Sequence, residues 1–146
     1  MKYSYLVVAA VGATVLAGCS SNSDEYTPPP GTLVAGTAEI TVNDTDLGEF
    51  DSVSCSPAGP LTTITTGDDT SGSTVVISNA EGLIAESVSI RELGGFTGSY
   101  NRGLGDDEAE VSMTGNTYTV TGSADGFATD EPSFRTTGTF TIKVAC

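Results

Sequence analysis

Apolar residues are distributed along this chain in two ways, one continuous run near the start and many short alternating runs after it. From residue 37 onward, short stretches rich in Val, Ile, Thr, Phe and Tyr are separated by Gly, Asn and Asp. No window of ten or more residues sustains a 3.6-residue period, so the pattern predicts strands and no helices. Candidate strands cover 37–42, 47–54, 61–66, 74–78, 83–93, 96–100, 109–114, 117–123 and 136–146. The last is the most regular. Phe140, Ile142, Val144 and Cys146 alternate with Thr139, Thr141, Lys143 and Ala145, which gives one apolar and one wet face. That alternation points Cys146 inward, toward a face where Val53 and Cys55 can meet it.

Turn chemistry supports antiparallel neighbours. Gly115-Asn116 separates EVSMT from TYTVT, a two-residue hairpin signal in which glycine supplies the positive φ. Asn43-Asp44-Thr45-Asp46 separates the first two strands, and Asn79-Ala80-Glu81-Gly82 reads as a longer turn ending in a glycine bulge. Short strands at this spacing predict an all-β domain over 37–146, an antiparallel β-sandwich or a partly open barrel.

The continuous run lies outside that domain. Lys2 and the 13 residues from Tyr5 to Ala17 form a charged and then apolar leader. The run is too short to span a bilayer, which takes about 20 apolar residues, and it fits a secretory signal over 1–18. Its end, Leu16-Ala17-Gly18-Cys19, departs from the usual A-x-A and resembles a bacterial lipobox. Cys19 is then the first mature residue and the site of lipidation. Residues 19–36 carry Ser, Thr, Asn, Gly and three consecutive prolines, Pro28-Pro29-Pro30. Such a composition predicts a disordered tether with a polyproline II stretch.

Charge sharpens this picture. After cleavage, Arg91, Arg102, Arg135 and Lys143 oppose 19 carboxylates, a formal charge of −15. Nucleic-acid binding needs cations to neutralise phosphate, so that function class is excluded. Membrane attachment must come from the lipid, with each buried methylene contributing about 0.8 kcal/mol. With Cys19 acylated, Cys55 and Cys146 remain as a pair in an exported, oxidising compartment. Their bond closes a loop of about 90 residues, which the chain-entropy model values at roughly 4–5 kcal/mol.

Catalytic chemistry has little to work with. The chain has no histidine, which removes Ser-His-Asp and Cys-His arrangements and the commonest neutral metal ligand. Lys143, the only mature lysine, falls on the wet face of its strand, away from the buried setting a Ser–Lys pair needs. Paired acids occur at Asp68-Asp69, Asp106-Asp107-Glu108 and Asp130-Glu131, all in turn-like segments, and there is no tryptophan to line a sugar cleft. Residues 103–108 have the oxygen density calcium wants but not the spacing of an EF-hand loop. Solvated acidic loops explain them better. Asn43-Asp44-Thr45 matches an N-glycosylation sequon, a chance match in a chain with a bacterial lipobox. Gly94-Gly95 and the following Phe96 to Tyr100 read as a glycine-bulged strand with two core aromatics rather than as a binding rim. No catalytic residue, metal ligand or cofactor is assigned.

These features together resemble the mycobacterial 19 kDa lipoprotein antigen family, small envelope lipoproteins of actinobacteria. The likeness rests on Leu16 to Cys19, the Ser/Thr-containing tether, Ser52-Val53-Ser54-Cys55, the Tyr118 to Gly126 stretch and the closing Phe140 to Cys146. This chain differs in a shorter, proline-containing tether and a more acidic domain. The resemblance implies surface exposure, a diacyl or triacyl anchor, antigenicity, recognition of the lipidated terminus by a Toll-like receptor, and no enzymatic activity. The expectation is a non-catalytic, lipid-anchored envelope protein with an interaction-type β-domain. Two alternatives stand beside it, a carrier of a lipid or small apolar ligand and a calcium-dependent adhesin.

Overall fold

The structure is a computed structural model that describes residues 26–146. Its elements are all strands: β1 (Ala38–Val42), β2 (Thr45–Phe50), β3 (Val53–Ala58), β4 (Leu61–Gly67), β5 (Gly72–Ser78), β6 (Ile84–Leu93), β7 (Phe96–Asn101), β8 (Glu110–Thr114), β9 (Thr117–Ala128) and β10 (Thr136–Ala145). They form one antiparallel sheet in the order β2-β1-β10-β9-β7-β6-β5-β4-β3, with β8 also paired to β9. The sheet curls into a nearly closed barrel. Of the two expected architectures, the structure takes the barrel.

Ten strands appear where nine were expected, because the 47–54 run is two strands. β2 runs down from its pairing with β1, and Asp51-Ser52 then carries the chain to the other free edge, where β3 pairs with β4. The division is a corner. A single straight strand would leave both edges open, whereas the break brings β2 and β3 together at the seam.

Three bulges set which side chains face in. On β6, the register with β5 shifts between Val76 and Ile77, leaving Glu86 as an extra residue. The shift changes the phase of the strand, so Ala85 faces the core on one side of it and Val88 and Ile90 on the other. A second bulge at Arg91-Glu92 precedes the Gly94-Gly95 turn, whose residues have φ of 59° and 74°. A third, at Leu47-Gly48, bends β2. Asn43 and Asp44 both take positive φ (50° and 62°), the geometry of a two-residue turn matched to strand twist.

Side chains fill the interior. Ile40, Val42, Val88, Val120, Ile142 and Val144 are fully buried, and Phe96 and Phe140 are buried with them. The Gly94 to Tyr100 stretch is therefore core, with Phe96 and Tyr100 both buried. Small residues make the space. The Phe96 ring lies over Gly98 and Gly138, where an added Cβ would stand 2.7 and 2.8 Å from a ring carbon.

The residues just before β1 are docked on the barrel. Leu33 is buried, its N–H donating 2.9 Å to the Thr117 hydroxyl. Gly36 N–H donates to the Ala145 carbonyl at 2.9 Å, and Ala145 N–H to Thr37 at 3.0 Å. Residues 33–37 thus cover the outer side of β10 at its end, which is why Ala145, expected on the wet face, is fully buried.

Candidate functional site

Strand direction sorts the connections onto two ends. The β1–β2, β4–β5, β6–β7 and β9–β10 connections lie at one end. The β3–β4, β5–β6 and β8–β9 turns, the docked N-terminal segment and Cys146 lie at the other, which we call the tether end. Contacts agree with this division. Thr129 N–H bonds to Gly95, and the Ser71 hydroxyl to Glu92, at the first end. Leu33 bonds to Thr117, and Cys146 N–H to the Asn116 carbonyl, at the second.

Cys55 and Cys146 are joined by a disulfide at the tether end, with a Cα–Cα distance of 6.0 Å and 91 residues between them. Cys55 packs against the core. Cys146 as a residue is exposed, so the inward alternation of β10 holds through Val144 and ends there. The bond ties the edge strand β3 to the central strand β10 across the seam. The lipobox residues Leu16, Ala17 and Gly18, and Cys19, lie outside the described residues.

Thr117 is the polar centre of the tether end. It is fully buried, accepts from Leu33, and donates 3.0 Å to the Asn116 side chain. Neither Leu33 nor Thr117 was singled out by the sequence reading. The one available signal was the apolar pair Leu33-Val34, which follows the prolines after Gly31-Thr32 in a segment whose overall composition argued for disorder.

Two grooves open on the flank. One, of about 520 Å³, lies where β8 diverges from the start of β6, with Leu83, Ile84, Ala109 and Val111 as its apolar part. At its margin, Arg102 and Glu86 stand 3.6 Å apart and largely exposed, a pair worth little in water. The other, of about 490 Å³, is polar and lies between β7, β9 and the 104–107 loop, with Asp106, Asp107, Asp125 and Arg135 in its lining. Among the described residues no three acids, cysteines or histidines come close enough together to hold a metal ion. The calcium reading of 103–108 gains nothing from this geometry.

Asp68 is held by its own turn. The backbone N–H of Ser71 (2.7 Å) and that of Thr70 (2.8 Å) donate to its carboxylate and hold its pKa below the usual value, with Arg91 adding a smaller pull. This is an Asx-type turn that shapes the β4–β5 connection. It is structural chemistry, not a catalytic arrangement.

Comparison with known proteins fits this picture. The chain is 40% identical over 139 residues to a protein of Mycobacterium indicus pranii named as a lipoprotein, covering 94% of each. It is 37% identical over 142 residues to another so named from Mycobacterium avium subsp. hominissuis, covering 97% of this chain and 92% of that one. To lipoprotein LpqH of Mycobacterium tuberculosis it is 29% identical over 156 residues, covering 97% of each. The model of the Mycobacterium 19 kDa lipoprotein antigen matches residues 31–146, which takes in the docked segment and all ten strands. On that match the chain belongs to the Mycobacterium 19 kDa lipoprotein antigen family.

Proposed function

We propose that the chain is cut before Cys19, acylated on that cysteine, and held at the outer face of the cell membrane with its β-domain as a non-catalytic interaction surface. The observation that carries this reading is a cysteine set directly after a short apolar leader, in Leu16-Ala17-Gly18-Cys19. Membership of a lipoprotein antigen family supports it. The formal charge of the chain, −14, gives the protein surface no attraction of its own for anionic headgroups, so the lipid must do the anchoring. The same lipidated terminus is the feature a Toll-like receptor would read. The absence of histidine and the structural role of Asp68 support a domain that binds and does not catalyse.

The carrier alternative has less support. The barrel interior is packed with side chains such as Phe96, Ile142 and Val88, which leaves the apolar groove beside β8 as the place for a ligand. Cys19→Ser is the test of the main reading. The variant should appear in the medium or keep its leader, take up no labelled palmitate, and lose receptor activation. Unchanged membrane association and mass would overturn it.

A further inference from the structure

The two ends of the barrel are chemically unlike. Turns and loops at the end remote from the tether carry Asp44, Asp68, Asp69, Asp130 and Glu131, against two cations, Arg135 and the Arg91 guanidinium that reaches the Asp68 carbonyl. Turns at the tether end carry one acid, Glu81, and the described N-terminal segment before β1 carries none. Exposed apolar side chains are distributed in the opposite sense. Val34 in the docked segment, Leu61 at the start of β4 and Met113 near the end of β8 are 43%, 39% and 46% exposed, all at the tether end. At the other end the exposed apolar residue is Phe134, which shares its loop with Asp130 and Glu131, while the β7–β8 connection, with exposed Leu104 and the acids Asp106, Asp107 and Glu108, lies along the flank between the two ends.

We infer that the tether end is a membrane-seating surface: the lipid-anchored barrel stands end-on upon an anionic phospholipid bilayer, with Val34, Leu61 and Met113 at the headgroup level and the acidic turns directed away. This rests on lipidation at Cys19. The physical argument has two parts. Removing apolar side chains from water favours contact by the end that exposes them. Separating the acidic turns from anionic headgroups by the length of the barrel, on the order of 30 Å from β9 and its tilt, exceeds the Debye length of about 8 Å at physiological salt. The reversed orientation brings five carboxylates against the headgroups and leaves the apolar residues in water. Asp24 and Glu25 precede the described residues and belong to the tether whichever end faces the bilayer, so they do not decide between the two orientations.

The chain has no tryptophan, so a single introduced one reports its own position. Full-length acylated Leu61→Trp, Met113→Trp and Phe134→Trp proteins are bound to vesicles of brominated phosphatidylcholine and phosphatidylglycerol in equal parts. The expected result is that the indoles at 61 and 113 lose at least half their emission relative to unbrominated vesicles, while the indole at 134 keeps its own. Equal quenching at all three positions, or none at any, with protein that still floats with the vesicles, overturns the seating and leaves the anchor intact. Protein that does not float overturns the anchor, and the seating with it. Positions 61 and 113 lie on different strands, so failure of one variant to fold leaves the other to decide.

Discussion

Phe96 sits across the Cα atoms of Gly98 and Gly138, in space that exists only because neither carries a side chain. Gly138→Ala places a methyl 2.8 Å from the ring, and overpacking of this kind costs about 1–3 kcal/mol. The expected outcome is a lower urea midpoint at unchanged slope. A different effect follows from the facing pair Thr66 and Ser73, whose buried hydroxyls have no hydrogen-bond partner. Thr66→Val keeps the shape and removes an unpaired polar group, so it should raise stability by about 1 kcal/mol in the same assay. Asp68 sets a pH dependence. Its folded pKa is depressed, so its contribution is present above the unfolded value of about 3.9 and is lost as pH falls through the lower folded value. Asp68→Asn should be less stable than the parent at neutral pH, and the two should converge in acid. The cysteine pair was legible in sequence because compartment and parity restrict it. The ring-on-glycine contact was not, since Gly98 and Gly138 come together only through the pairing of β7, β9 and β10.

Among the elements, β10 could be read because it pairs on both sides and one of its faces is core, so its alternation runs unbroken from Gly138 to Val144. β6 could be located but not phased, because the bulge at Glu86 shifts the inward positions from Ala85 to Val88. The corner at Asp51-Ser52 left no break in the pattern, since its cause is closure of the sheet and not local preference. Residues 33–37 were hidden in another way. Their hydrogen bonds go to Thr117 and to the end of β10, groups more than 80 positions away. Thr117→Val removes the acceptor for Leu33 N–H without changing the shape of the site. Amide exchange at Leu33 should speed up, with a cost of about 1–2 kcal/mol, while the strands of β3 to β6 keep their protection. Exchange spreading uniformly through the barrel would instead make the segment part of the cooperative core.

At the scale of the whole molecule, the disulfide spans the seam that backbone pairing leaves open between β2 and β3. Replacing both Cys55 and Cys146 by Ala should cost about 2–5 kcal/mol, read as a fall in melting temperature and urea midpoint. A barrel was one of two architectures the pattern allowed, but its strand order, its flank grooves and the contrast between its two ends were beyond sequence reading, because each depends on which strands become neighbours after closure. One of those neighbour relations reaches beyond stability. β1, the first strand, pairs along its whole length with β10, about a hundred residues later. β9 finds its widest partner in β10 as well. A chain that emerges from a membrane channel N-terminus first therefore offers no finished core until β10 has emerged. The consecutive strands β3 to β7 have their hairpin partners as they emerge, but their apolar face stays uncovered until β10 closes the core. Once β10 arrives, it is inserted between β1 and β9, and the core is completed in that step.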